Sequence, residues 1–233
     1  MPYDDWTSNS VANLAYTGPM SSQPKPSIPD ATQQKWQRIV DLLARILDVP
    51  AGLVMALDGA HLKVCVSSAS EGNPYDLGEL AELDTGLYCE TVMAGKSGLL
   101  VRNALDDPEW RDNPDVEKNM LFYLGMPLAW PDGEVFGTIC VLDTENNEHA
   151  IHYRDLLEEF KDIIDSDLRY LIDIAERERM EQAIKRAHDE LEQRVAERTE
   201  ELSEINTAYW QAAWEAILQQ PWMGYGLGNY EWT

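Results

Sequence analysis

The side chains with chemical reach in this sequence are a few thiols, phenols and carboxylates. There are three cysteines, Cys65, Cys89 and Cys140, and an odd count without paired spacing suits neither a disulfide framework nor a zinc site. Thiol catalysis requires an exposed, low-pKa thiolate with a second thiol within reach. Cys89, near the start of an expected short helix, is the candidate for such a thiolate. Cys65 in LKVCVSS and Cys140 in GTICVLD fall in strand patterns, where a free cysteine serves as a small core hydrophobe. A second set of residues suits binding. Tyr75, Tyr88, Cys89, Glu90, Trp110, Tyr123 and Trp130 lie in loops and at strand or helix ends, and combine aromatic walls with a few orienting polar groups. The sequence contains no G-x-x-x-x-G-K phosphate loop and no H-E-x-x-H zinc helix. His61, His149 and His152 sit in no pattern that fixes an axial ligand, and His188 reads as a solvated helix residue. The expectation is a binding module with no metal, no cofactor and no enzymatic activity.

These residues need elements to position them. Residues 1–30 are rich in proline and serine and lack apolar periodicity, which predicts a flexible leader. Trp36, Ile39, Val40, Leu43, Ile46 and Leu47 follow at helical spacing. Two β-rich runs, 53–57 and 61–67, flank Asp58-Gly59 and predict a hairpin. The polar stretch 68–84 reads as a loop over a site. A short helix, LYCETVMA, is expected after Gly86, then a strand at GLLV, then a loop where Asp107 or Asn113 caps a proline-initiated turn. Two apolar strands, Phe122–Ala129 and Val135–Leu142, are joined by Pro131-Asp132-Gly133 and form the expected centre of the sheet. Helical spacing resumes from Tyr153. The order predicts an α+β fold, an antiparallel sheet flanked by helices.

A net charge of −24 disfavours nucleic acid and anionic membrane as partners. No run of 18 or more apolar residues and no secretory signal pattern is present, so a cytoplasmic protein without membrane insertion is expected.

The phrases NPY, GLYCETV, LLVRNALDDPEWRDNPDV and YLGMPLAWPDGEVFGTICVLD, in this order across residues 31–167, resemble GAF domains, above all the sensor modules upstream of bacterial histidine kinases and diguanylate cyclases. The resemblance implies a pocket floored by the last hairpin, a small-molecule ligand and a role in signal transduction. It also raises the free methionine sulfoxide reductases, GAF proteins with catalytic cysteines, although their clustered cysteine phrase is missing here. The context of bilin attachment in phytochrome-type GAF domains is missing as well.

Residues 168–208 contain no proline or glycine and dense charge. Met180, Ile184, Ala187, Leu191, Val195, Arg198, Leu202 and Ile205 form a seam with a stutter at Leu191, which continues to Tyr209. A helix of about 60 Å at 1.5 Å per residue outreaches one small domain, so a parallel homodimeric coiled coil is expected. LEQRVAERTEEL resembles the signalling helix between sensor and output domains, which implies two nearly equal registers. Residues 209–233 shift in composition, holding four of the eight tryptophans: Trp210, Trp214, Trp222 and Trp232. The phrase AWEAILQQPWMGYGLGNYEW resembles a short segment of the O-antigen ligase and protein O-oligosaccharyltransferase family. The tail reads either as a fused fragment of such an enzyme or as a natural terminal segment, and a dimeric scaffold presenting it is the alternative to a sensor.

Overall fold

The structure, a computed structural model, describes residues 24–219. Apolar residues three and four apart produce the first helix, α1 (Asp30–Leu47), whose Trp36, Ile39, Val40, Leu43 and Leu47 are buried along one face. The six residues before it include Lys25, which pairs with Asp132 and Glu134, and Ile28, which packs against the core. Chain belonging to the expected leader is therefore docked from residue 25 onward.

The strands β1 (Ala51–Asp58) and β2 (His61–Ser67) form the hairpin expected around Asp58-Gly59, with Gly59 at φ 62°. A three-residue strand, β3 (Leu80–Glu82), pairs with β2 inside the stretch read as continuous loop. Its length is too short for an alternating pattern to show. Next come helix α2 (Tyr88–Gly95), strand β4 (Leu99–Val101) and two single 3-10 turns, Ala104–Asp106 and Pro114–Val116. The hairpin β5 (Phe122–Ala129) and β6 (Val135–Asp143) follows, and helix α3 (Glu148–His152) leads to α4 (Arg154–Gln219).

All strand pairs are antiparallel in one six-stranded sheet of order β3-β2-β1-β6-β5-β4. The α+β, GAF-like architecture expected from the sequence is what forms, with a long helix after it. β6 and β1 share the centre, while β5 lies one place further out. Gly137 allows this central pairing: a Cβ there would lie 1.9 Å from the Met55 carbonyl oxygen.

The sheet separates two cores. On one face α1 and the beginning of α4 cover Val54, Leu124, Met126, Leu128, Ile139 and Val141. On the other face α2 and the 3-10 turns cover Leu53, Met55, Leu62, Val64, Tyr123, Cys140 and Leu142. Strict alternation is broken at two bulges. Val54 pairs with Val66 but Met55 with Val64, and Leu128 pairs with Gly137 but Ala129 with Val135. The skipped residues, Cys65 and Phe136, both turn to the helical face.

The helix expected to end the domain and the long helix expected from residue 168 are one element, α4. Leu157, Ile164, Leu168 and Leu171 bury its beginning, and Trp36 and Lys35 bond the Asp167 carboxylate at 2.9 and 2.7 Å. Residues from Glu176 form a second compact unit. In that unit the seam residues Met180, Ile184, Leu191, Val195, Leu202 and Ile205 are all exposed in the single chain, and Arg198 pairs with Glu201 at 2.7 Å. Tyr209, Trp210 and Trp214 are exposed residues of α4. Trp222 and Trp232 lie outside the described residues. Among the described residues, no helix is long and apolar enough to cross a membrane.

Candidate functional site

The α2 side of the sheet contains a cavity of about 110 Å³. Its floor is apolar, with Leu53 and Met55 from β1, Leu62 and Val64 from β2, and Leu142 from β6. Two opposed polar groups interrupt that lining.

The first is built by two Asn-Pro turns far apart in sequence. In Asn73-Pro74-Tyr75 the Asn73 side-chain oxygen accepts the Tyr75 amide at 3.0 Å. In Asn113-Pro114-Asp115 the Asn113 oxygen accepts the Asp115 amide at 2.8 Å. Each asparagine bonds the backbone two residues on, while the proline fixes φ between them, so both third residues are held rigidly. Their side chains meet in the cavity, where the Tyr75 hydroxyl donates to Asp115 Oδ1 at 2.7 Å. Asn113 also donates to the Gly86 carbonyl at 2.6 Å, which ties this turn to the loop before α2. Lys118 lies 4.4 Å from the Tyr75 ring centre and pairs with Glu79. Burial pushes the Asp115 carboxyl above the ordinary carboxylate range, against the opposing effects of the Tyr75 hydrogen bond and Lys118. Burial likewise raises the Tyr75 hydroxyl far above its usual range, so Tyr75 remains a neutral donor.

The second polar group is a thiol cluster. Cys89, in the first turn of α2, lies over β6, where the two-residue period places Thr138 and Cys140 on the same face. The Thr138 hydroxyl donates to Cys89 Sγ at 3.2 Å, and the Tyr123 hydroxyl lies 3.5 Å from the same sulfur. The neighbouring Cys140 thiol, together with the Thr138 and Tyr123 bonds, holds Cys89 below the ordinary thiol range. The neighbouring Cys89 thiol and burial push Cys140 well above that range. The strand position that seemed to keep Cys140 apart from Cys89 in fact brings it alongside. Both thiols are buried, and both line the cavity.

Behind the cavity stands an aromatic column. Tyr88 stacks on Tyr123 at 4.8 Å and meets Trp110 at 5.3 Å, and its hydroxyl donates to the Met120 carbonyl at 3.3 Å. Gly125 makes room for this arrangement, since a Cβ there would lie 2.2 Å from the Tyr123 hydroxyl.

Of the residues singled out from sequence, Tyr75, Cys89 and Tyr123 line the cavity. Tyr88 and Trp110 support it from behind as buried core. Glu90 points elsewhere: its carboxylate accepts the amides of Asp84, Thr85 and Leu87 at 2.9–3.2 Å and organises the loop entering α2. Trp130 belongs to the opposite face, where it packs edge-on against Phe136 at 5.4 Å. Sequence reasoning missed Asp115, Lys118, Glu79 and the placement of Cys140. The repeated Asn-Pro dipeptide is the signal that could have pointed to Asp115, because the same turn holds Tyr75. Among the described residues there is no cluster of ligating side chains suited to a metal ion.

The sequence model of the GAF domain matches residues 32–164, more than half of the chain, and the protein belongs to the GAF-domain family. A curated relative, a cyclic di-GMP phosphodiesterase of Pseudomonas aeruginosa, is 42% identical over 60 residues, which are 25% of this chain and 10% of that protein. The chain thus spans about a tenth of the relative's length. Among solved structures, the GAF domain of an Acinetobacter phosphoenolpyruvate-protein phosphotransferase superposes with a TM-score of 0.50 at 13% identity, covering 62% of this chain and 85% of that one. The free methionine-R-sulfoxide reductase of Neisseria meningitidis gives 0.48 at 13% identity, covering 58% and 77% respectively.

Proposed function

We propose that this protein is a cytoplasmic, non-enzymatic sensory module of a bacterial signalling system: a small molecule occupies the cavity on the α2 side of the sheet, and the long helix, paired with that of a second copy, carries the response. The observation that carries this reading is the cavity itself, an apolar pocket with a rigidly held Tyr75–Asp115 pair. Membership of the GAF family supports a signalling role. The partial relative, a cyclic di-GMP phosphodiesterase, is in keeping with a place in such a system.

Pairing is supported by the helix surface. A seam running from Met180 through Leu191 and Val195 to Ile205 stays exposed in the single chain, although such residues favour burial. α4 is also packed against the domain through Leu157, Ile164 and Leu168, so its first turns can respond to changes in the sheet. The stutter at Leu191 offers two nearby registers.

Native mass spectrometry of the freshly purified chain tests both parts at once. A dimer carrying extra mass is expected. A monomer overturns the pairing. Ligand-independent disulfide crosslinking between copies of Leu191→Cys and of Val195→Cys variants, once a ligand is in hand, overturns the relay.

A further inference from the structure

The cavity's charge and shape restrict what it binds. Asp115 is the one carboxylate among its lining that is more than nine-tenths buried, at 8% exposure. Oδ1 accepts from Tyr75, whereas Oδ2 accepts no hydrogen bond from the described residues. This oxygen is not sealed away from solvent but opens on an apolar cavity, where an ionic donor forms a charge-assisted bond with it. Lys118 does not serve as that donor, since its ammonium is committed to Glu79 and to the Tyr75 ring. Counting the three charged residues of the lining, Glu79 and Asp115 against Lys118, the site carries one uncompensated negative charge.

An anionic ligand would raise that imbalance to two in a poorly solvated space. A neutral ligand would leave the carboxylate without a counter-charge. A cation restores neutrality and supplies N–H donors to Oδ2, a charge-assisted bond roughly twice as strong as a neutral one. The rest of the lining, Leu53, Met55, Leu62, Val64 and Leu142, offers only hydrocarbon and thioether contact. The volume of about 110 Å³ is below the roughly 150 Å³ that holds benzene in an engineered cavity, so the apolar body is a short chain.

We infer that the cavity is a site for a small organic cation, a primary amine on a short aliphatic chain, with its ammonium on Asp115 Oδ2 and its hydrocarbon over Met55, Leu62 and Val64. The inference rests on the reading that the cavity is a ligand site, and its test separates the two.

The full chain is titrated at neutral pH with n-butylamine, 1-butanol and butyrate, three probes of one chain length, and the Met55 methyl resonance is followed by NMR. Saturable shifts with n-butylamine at least about tenfold tighter than with 1-butanol are expected, and none with butyrate. Asp115→Asn, which retains an oxygen for the Tyr75 hydroxyl, is expected to bring the amine down to the alcohol's affinity. Equal amine and alcohol affinities, tighter butyrate binding, or an amine preference that survives Asp115→Asn each overturn the cation assignment while leaving the cavity a ligand site. If none of the three probes moves the Met55 resonance, the ligand-site reading falls together with the inference.

Discussion

The two faces of the sheet are built from the same strands and yet are finished differently. On the α1 side the strand residues share one core with helical residues: Trp36 packs edge-on against Phe136 at 5.7 Å, Phe136 against Trp130, and Leu157, Ile164 and Leu168 belong to the same layer. On the α2 side an eight-residue helix and two single 3-10 turns cover the same length of strand, and polar groups fill part of what is left. Two regular helices present continuous apolar ridges that fill a sheet face to interior density. Loops follow their own backbone hydrogen bonds, and here those bonds fix Tyr75 and Asp115 at the rim of an unfilled space. The difference leaves one face closed by helices and the other with an unfilled cavity.

That contrast is open to mutation. The largest effect should come from the strand common to both faces. Gly137→Ala drives a Cβ into the Met55 carbonyl, with no flexible group to yield, and should cost at least about 3 kcal/mol. Urea denaturation checks it, and near-wild-type stability would mean that β1 and β6 pair less closely than described. On the helical face alone, Trp36→Ala should cost about 3–5 kcal/mol by the same assay, since it opens a cavity and removes the bond to Asp167.

A sharper comparison uses one substitution on each face. Val54→Leu adds a methylene to the closed layer and should cost about 1–3 kcal/mol. Val64→Leu adds it into the cavity and should change stability by less than about 0.5 kcal/mol. Equal costs would remove the distinction between a filled and an unfilled face.

The smallest effect depends on pH. Burial raises the Asp115 pKa in the folded protein, so on folding this group holds its proton to higher pH than in the unfolded chain. Its stabilising contribution is present in full below the ordinary carboxylate value of about 3.9, and is lost as pH rises through the folded pKa. Relative to wild type, Asp115→Asn should therefore gain stability as pH is raised from about 4 toward neutrality. Thermal melts of the two proteins across that range measure the trend. A constant difference would show that the Asp115 carboxyl is better solvated than its place in the cavity implies.

Much of the framework was legible locally. Three-and-four spacing marked α1 and α4, Asp58-Gly59 marked the first hairpin, and Pro131-Asp132-Gly133 marked the second, because each rests on the conformational preferences of a few neighbouring residues. β3 escaped because three residues carry no period, and its pairing with β2 depends on a partner about twenty residues away. The site was legible only in part. Tyr75, Cys89 and Tyr123 were recognisable as aromatic or polar groups at loop and strand ends, whereas nothing local separates Trp130, which faces the other core, from Tyr123, which faces the cavity.

What the sequence determined by itself was most of the elements, β3 excepted, their order and the GAF-type hairpin, since apolar period, turn residues and caps act over a few residues. Tertiary structure alone decided which face each strand residue took, because two bulges reverse the alternation. It alone brought Asp115 to Tyr75 across 40 positions and Cys89 to Thr138 across 49, distances in sequence that no local preference spans. The cavity exists only through those meetings, as the space that loops bound to one another leave above a sheet whose other face is closed by helices.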